Sequence, residues 1–463
     1  MLTKQVVMAV LGIVFVGYLA RTVGVAHWGE FQASLAIVNV VTIAAGIGVR
    51  GYLAREIVLN PELGPRHLGS ALAIRGITGT TLLAATVIVG LTRSSGTAST
   101  LLVLAAIGQL ATLLYGTLWL SFEAHERFQY IVYAELAARL FVIVFASALL
   151  WAGYGVVAAA FAFALGNIIE LAMTVVWLRA RLYLPRFEVG MGGLLRIAWL
   201  SLPLGLCGAM SVALRQADHV VLRWLCSESA VGIYAAARVL TENFAMLQDV
   251  LLTSAFAAGV RQFNRDPAKF KLLFERCMLI SVLLGLPIAA GGLLLAPDII
   301  QLVYGERFAA SAGVLRVLIC QVPIAFAYQV GILPLLAAKR ELAMAKLLGC
   351  MLVSNLVLNA LLAPRFGPWG SAWTSLIVSA CALFGTLFMN ARWLRGLDFR
   401  AFGAVVLSTL VMALAASIAR AASGMFVAIV VGAVVYSILV LVTGAVRWGD
   451  VVGLVRGERF QKR

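Results

Sequence analysis

Long apolar stretches alternate with short polar segments along almost the whole chain. Fourteen such stretches follow one another, and most approach the roughly 20 apolar residues that a helix needs to cross a bilayer. The predicted spans are Val6 to Leu19, Phe31 to Gly48, Gly69 to Leu91, Leu101 to Phe122, Phe128 to Trp151, Gly155 to Leu178, Ile197 to Leu222, Ser229 to Val260, Leu272 to Leu295, Ala309 to Leu336, Ala343 to Ala363, Trp369 to Met389, Phe402 to Ala421 and Gly424 to Val446. The pattern predicts an all-α polytopic membrane protein with about 14 transmembrane helices.

Composition supports this prediction and excludes several functions. The 463 residues are 62% hydrophobic and 12% charged, with a mean hydropathy of +1.00, and a soluble protein could not cover so much apolar surface. The six cysteines and four histidines lack the spacing of metal ligands, and no phosphate loop, nucleophile elbow or carboxylate pair is present. We therefore expect neither an enzyme nor a bound metal or cofactor.

Basic residues give the orientation. About 24 of the 36 Lys and Arg fall in segments on the side of the N-terminus, about 6 on the opposite side and about 6 within spans. The positive-inside rule then places both termini in the cytoplasm and predicts a multi-pass protein of the cytoplasmic (inner) membrane. Because the net charge of +16 is spread over separate inner loops, it does not indicate nucleic-acid binding.

Loop sequences recur in the same order in the two halves of the chain. Gly29-Glu30-Phe31 follows the first span as Gly232-Ile233-Tyr234 follows the seventh, and the segment beginning at Gly155 resembles the one beginning at Gly367. An offset of about 200 to 215 positions predicts a parallel repeat, although loops sharing small and basic residues would give similar matches. The predicted parts are a six-helix lobe (1–178), a cytoplasmic basic linker (179–196), a second six-helix lobe (197–389), and two additional helices with a basic cytoplasmic tail (390–463).

Charged residues at membrane depth are costly and face a bundle interior or a watery cavity. We assign two roles to them. The candidate residues of a substrate cavity between the two lobes are Arg50, Arg75, Arg139, Arg215 and Arg238. The candidate coupling or charge-balancing residues are Glu135, Glu170, Asp218, Glu242 and Asp249.

Helical spacing groups several of these residues. Arg238, Glu242 and Asp249 are four and seven positions apart and share one face of the eighth span. Arg215 with Asp218, and Glu135 with Arg139, are either neutralising pairs that hold helices together or parts of the cavity. Asn355 and Asn359 share a face of the eleventh span, as Asn167 and Glu170 do on the sixth.

Arg50 and Arg75 each have an explanation of their own. Arg50 can reach the inner interface by snorkelling. Arg75 has no acidic residue within a helical turn, so it is expected to face water, a distant partner or a ligand. Guanidinium groups make bidentate hydrogen bonds to phosphate oxygens, so a cavity lined by them suits an anionic substrate that carries a diphosphate.

Five segments carry a family resemblance: Leu19 to Phe31 (LARTVGVAHWGEF), Gly46 to Glu56 (GIGVRGYLARE), Arg215 to Ala237 (RQADHVVLRWLCSESAVGIYAAA), Gly153 to Ala160 and Gly367 to Ala372. In these segments the chain resembles the multidrug/oligosaccharidyl-lipid/polysaccharide exporter superfamily, and within it the polysaccharide-biosynthesis flippases of the Wzx type. The segments are loose spacing patterns, but together they span nearly the whole chain. The resemblance implies two lobes that form a V-shaped central cavity and rock between inward and outward states.

The resemblance also implies a substrate and partners. The substrate would be an oligosaccharide on undecaprenyl diphosphate, moved from the inner to the outer leaflet for O-antigen, capsule or exopolysaccharide assembly. The bilayer, the polysaccharide assembly machinery and a coupling proton or sodium ion would be its partners.

Three other functions are weighed against this one. The lipid II flippases also have fourteen spans and a cationic cavity. Drug antiporters of the MATE branch typically carry an acidic residue in an early span, whereas predicted spans one to three contain no Asp or Glu. A polysaccharide polymerase or ligase would need a sizeable outer loop, and every predicted outer segment is a short connection.

Overall fold

The computed structural model describes residues 2–46, 48–49, 53, 56–57, 60–93, 96–188, 190–338, 340–394 and 399–444. These residues form helices joined by short turns, with no strand among them. The long helices are α1 (Leu2–Val23), α2 (Val25–Gly46), α3 (Gly64–Arg93), α4 (Thr97–Ala124), α5 (Phe128–Trp151), α6 (Gly155–Arg181), α7 (Met191–Leu225), α8 (Glu228–Arg265), α9 (Pro267–Tyr304), α10 (Ser311–Ala337), α11 (Glu341–Phe366), α12 (Pro368–Met389), α13 (Phe399–Ser423) and α14 (Met425–Val442). Each predicted span coincides with one of them, which confirms the all-α prediction.

Ten of the helices in the described part of the chain are long and apolar enough to cross a membrane, so the protein is a multi-pass membrane protein. The ten begin with α3 and omit α7 and α8. The predicted total of fourteen spans therefore stays a prediction. Short helices at Pro61–Leu63, Glu306–Phe308 and Ala391–Leu394 complete the secondary structure of the described residues.

Local sequence explains where the helices begin and end. Gly24, with φ +84°, makes the turn between α1 and α2 and donates its N–H to the carbonyl of Ala20 at 2.9 Å. α9 begins with Pro267 in its first turn, and the Asp266 carboxylate caps it by accepting the Lys269 N–H at 3.1 Å.

The second helix is longer than the sequence predicts. It begins at Val25 rather than Phe31, so it contains Glu30, which lies 3.3 Å from the His27 ring. The predicted second span, Phe31 to Gly48, contains no Asp or Glu, but the helix that carries it has Glu30 one residue before that span. Glu30 escapes the hydropathy pattern because it sits near the helix start, where polar side chains reach the interface.

The chain divides into two compact units. The first contains Val6–Ala235 and Leu348–Pro368, and so holds α1 to α7, the first turns of α8 and most of α11. The second is built mainly from Ala236–Leu347 and the helices that follow Trp369. These cuts differ from the predicted lobe boundaries, because α7 and α11 pack within the first unit. The lobes were defined by sequence repetition, and that definition remains a prediction.

Backbone-to-backbone contacts at glycines mark the first unit. A Cβ atom placed on Gly29 would lie 1.9 Å from the carbonyl oxygen of Glu228, and one on Gly232 would lie 2.1 Å from that of Val25. At the other end of α2, a Cβ on Gly48 would lie 2.3 Å from the amide nitrogen of Gly205. The chain following α1 therefore touches the start of α8 so closely that only glycine fits.

The second unit has its own core, and the last two long helices pack against it. The rings of Phe270 and Trp393 meet edge to face at 4.8 Å, and Gly285 of α9 faces Pro323 of α10. The helices α13 and α14 lie against α9, where the Tyr436 hydroxyl donates to the Leu283 carbonyl at 2.6 Å. The second unit is thus held by aromatic packing and by specific polar contacts.

Candidate functional site

A buried carboxylate lies at the centre of a polar cluster in the first unit. Asp218 on α7 is 1% exposed. Its Oδ1 accepts the side-chain amides of Asn359 at 2.7 Å and Asn355 at 3.1 Å, both from α11, and its Oδ2 accepts the Tyr234 hydroxyl of α8. The donors in these three hydrogen bonds are neutral groups, a phenol and two carboxamides, and each stabilises the ionised carboxylate.

The two asparagines add oxygen atoms to this cluster. The Asn359 Nδ2 also reaches the Asn355 backbone carbonyl and Oδ1, each at 3.1 Å. The Asn359 Oδ1 is buried and has no hydrogen-bond partner. Oxygen atoms from a carboxylate and carboxamides are ligands for hard cations, and a carboxylate can equally take up a proton. The cluster can therefore hold a proton or a monovalent cation.

Arg75 is the second candidate. It lies half-buried on α3, and its Nη1 donates to the Thr117 hydroxyl of α4 at 2.8 Å. Gly46 of α2 faces the same guanidinium, since a Cβ placed there would lie 3.5 Å from Nη2. The structure thus gives Arg75 a neutral partner on a distant segment, one of the options that the sequence left open.

Arg238 in the second unit belongs to a linear polar chain. Its Nε lies 3.0 Å from Glu242 Oε1, as the spacing of four residues predicts. Its Nη1 makes a long contact of 3.5 Å with Gln321 Oε1 of α10, and the Gln321 amide donates to Ser379 of α12 at 2.7 Å. Arg238 is therefore partly neutralised by Glu242, whose side chain is 46% exposed.

The remaining candidates occupy other places. Glu170 on α6 is 5% exposed and lies beside Tyr115 of α4. Arg139 is half-buried on α5, with its Nη1 facing Gly12 of α1, and Arg215 is exposed on α7. Arg50 lies outside the described residues, as does the side chain of Asp249.

Sequence reasoning missed several members of these clusters. It noted Asn355 and Asn359 as sharing a helix face but did not connect them with Asp218, more than 130 residues earlier. Thr117 and Gln321 carry no sequence signal, because a threonine or glutamine within an apolar helix is common. Within the described residues, no three or more histidine, cysteine or acidic side chains come together as metal ligands.

Several solved structures of membrane proteins show the same fold. The lipid II flippase MurJ in its inward closed conformation matches with a TM-score of 0.77 and 14% identity over 97% of this chain and 99% of that chain. An inward-facing multidrug resistance transporter of the MATE family matches with a TM-score of 0.63 and 18% identity, over 82% of this chain and 94% of that chain. A transporter of the MOP superfamily from Pyrococcus furiosus matches with a TM-score of 0.54 and 17% identity, over 84% of this chain and 95% of that chain.

The sequence itself identifies the family. The model of the polysaccharide biosynthesis protein family matches residues 1–258, more than half of the chain. The chain belongs to this family. A search of curated proteins gives no match.

Proposed function

We propose that the protein is a flippase that moves an oligosaccharide linked to undecaprenyl diphosphate from the inner to the outer leaflet of the cytoplasmic membrane, for O-antigen, capsule or exopolysaccharide assembly. The observation that carries this proposal is Arg75. It is a guanidinium at membrane depth, held by a neutral hydroxyl, in a member of the polysaccharide biosynthesis family. A diphosphate crossing the membrane needs such counter-charge, because an uncompensated ion in a low dielectric is prohibitive.

Arginines from both predicted lobes would share this task. Arg75 and Arg139 belong to the first lobe, and Arg215 and Arg238 to the second. Guanidinium binds phosphate oxygens at two points, and the exposed Glu242 limits the attraction around Arg238 so that the substrate can leave. The sugar then travels in the cavity while the polyprenyl tail stays in lipid.

Coupling is assigned to the Asp218 cluster. A buried carboxylate with neutral donors and an unpartnered Asn359 oxygen favours binding of a proton or of sodium. Because Asp218, Tyr234 and the two asparagines come from α7, α8 and α11, occupation of the cluster would change how these three helices pack. A gradient of the bound ion can thereby bias the conformational cycle.

Alternating access requires helices that meet in one state and part in another. The glycine contacts between the start of α2 and the start of α8 are suited to this, because the shortest of them are made by backbone atoms. In the predicted orientation this contact lies at the outer end of the helices. We infer that it closes the outer side of the pathway during the inward-open part of the cycle.

Complementation of a deletion strain tests the proposed function. Surface polysaccharide should return with the wild-type gene, fail with Arg75→Ala, and return only partly with Arg75→Lys, because an ammonium group cannot make the planar two-point contact. Immunoblots of membranes control for protein level. Full polysaccharide production by a well-expressed Arg75→Ala variant would show that this arginine has no part in transport.

Two alternatives are separated by parallel assays. The fold likeness to MurJ favours lipid II as a second candidate substrate. Rescue of cells depleted of their lipid II flippase, without restored surface polysaccharide, would assign that function instead. Glu30 gives α2 an acidic residue, so a drug antiporter is tested as well, by comparing drug susceptibility with and without the gene.

A further inference from the structure

The guanidinium of Arg75 is enclosed by three helices of the first unit. It extends from α3 to the Thr117 hydroxyl on α4 and passes Gly46 on α2. One turn beyond Arg75, the Thr78 hydroxyl lies 2.7 Å from the Ala45 carbonyl of α2 and 2.8 Å from the Ile74 carbonyl of its own helix. Thr78 therefore ties α2 to α3 next to Gly46.

Thr117 is fully buried, and its hydroxyl has a fixed direction. Its oxygen lies 2.7 Å from the Leu113 carbonyl, which accepts the single hydroxyl hydrogen. Toward Arg75 the hydroxyl can then present only its lone pairs. The Thr117 hydroxyl is therefore an acceptor with a fixed position and direction. Its hydrogen bond restricts the Arg75 side chain, which could otherwise adopt many rotamers.

We propose that Thr117 is a positioning residue that fixes the Arg75 guanidinium for the diphosphate of the lipid-linked substrate. This inference rests on the proposed role of Arg75. A threonine holds the guanidinium without neutralising it, whereas the carboxylate of Glu242 partly neutralises Arg238. This hydrogen bond orders the Arg75 side chain before the substrate binds, so less conformational entropy is lost on binding.

The size of the residue facing the guanidinium supports this arrangement. Gly46 leaves room for Arg75 to lie against the α2 backbone, and a methyl group there would make ordinary contact at 3.5 Å. A larger side chain at position 46 would occupy the space of the guanidinium. Gly46 thus leaves space for the Arg75 guanidinium and limits the positions that the guanidinium can occupy.

The test is equilibrium binding of farnesyl diphosphate to the purified full-length protein in nanodiscs. Thr117→Val keeps the shape and removes the acceptor, so affinity should fall roughly tenfold, as expected for a lost hydrogen bond to a charged group. Thr117→Ser should bind within about twofold of wild type, because it retains the acceptor. Thr117→Ala serves as a second removal if the valine variant is not recovered folded.

Thr42→Val is the matched control. Thr42 is also buried in the first unit, and its hydroxyl donates to the Val38 carbonyl of its own helix at 2.7 Å. Its substitution should leave binding unchanged, and thermal melting should show that both valine variants are folded. A merely structural role of Thr117 would lower the melting temperature without separating the serine from the valine variant in affinity.

A double variant separates the two proposals. If Thr117 acts through Arg75, adding Thr117→Val to Arg75→Ala should weaken binding no further than Arg75→Ala alone. An equal loss in both backgrounds, or wild-type affinity of Thr117→Val, would overturn the positioning role. Wild-type affinity of Arg75→Ala would instead overturn the proposed substrate-binding role of the arginine.

Discussion

The glycine contact between the starts of α2 and α8 gives the sharpest prediction about the transport cycle. In Gly29→Ala, the new methyl group would lie 1.9 Å from the Glu228 carbonyl oxygen, 2.8 Å from the Gly232 nitrogen and 2.9 Å from the Glu228 carbonyl carbon. Real Cβ contacts essentially never fall below 3.0 Å, and all three neighbours are backbone atoms. Neither helix can move a side chain out of the way, so the helices themselves must separate.

The magnitude follows from the cost of overpacking. Forcing an extra methyl group into a close-packed contact typically costs about 1–3 kcal/mol. This cost applies only to the state in which α2 and α8 touch, so it shifts the equilibrium toward the separated state by roughly 5- to 150-fold. Transport should slow, because one half of the cycle is then rarely occupied, while the amount of folded protein stays close to wild type.

The assay is labelling of a cysteine introduced at Val25, in a cysteine-free background, with a membrane-impermeant maleimide added to intact cells. Val25 is half-buried, and its carbonyl faces Gly232. Gly29→Ala should raise the labelling rate by about tenfold or more. Gly116→Ala is the control, since a Cβ there has no neighbour within 4 Å. Unchanged labelling together with full polysaccharide output in Gly29→Ala would refute the assignment of this contact as a gate.

Three further predictions concern the polar clusters. Asp218→Asn should remove the dependence of flipping on an imposed proton or sodium gradient in proteoliposomes, and Tyr234→Phe should weaken it, since the variant keeps the carboxylate but loses one donor; flipping by Asp218→Asn that responds to the gradient as wild type does would contradict the coupling role. Glu242→Gln removes the half-exposed carboxylate that pairs with Arg238, so a diphosphate probe should bind a few-fold tighter and leave more slowly; weaker binding would count against a substrate role for that arginine. The buried Gln248 side-chain amide on α8 donates to the Ser281 hydroxyl at 3.2 Å and to the Phe326 carbonyl at 3.1 Å. Gln248→Met removes both bonds and should lower stability by about 1–3 kcal/mol, seen as a lower melting temperature in detergent; an unchanged melting temperature would show that these bonds contribute nothing.

Hydropathy alone predicted the helices of this protein. Each predicted span lies on one helix, because a backbone in lipid must satisfy its hydrogen bonds within its own segment, so an apolar stretch of sufficient length has one favourable structure. The residues at which the helices begin and end were predicted less accurately. α2 begins at Val25 and includes Glu30, since interfacial turns tolerate polar residues that lower the hydropathy of a window.

Pairs within one helix were also predictable. The four-residue spacing of Arg238 and Glu242 fixes their distance through helix geometry, and the structure places them 3.0 Å apart. For Asp218 the same reasoning suggested its neighbour Arg215 as one option. The structure instead surrounds the carboxylate with Tyr234 and two asparagines of α11, and Arg215 is exposed.

Contacts within one helix were predictable and contacts between distant helices were not, for a physical reason. Helical periodicity determines which residues of one helix share a face, but not which faces of distant helices meet. That choice depends on the sum of many packing contacts, among them the glycine contacts that bring Gly29 to Glu228. Thr117 became a partner of Arg75, and Asn359 a partner of Asp218, only when α3 met α4 and α7 met α11. The sequence therefore determined that charged residues lie within the membrane, and the tertiary structure decided what each of them binds.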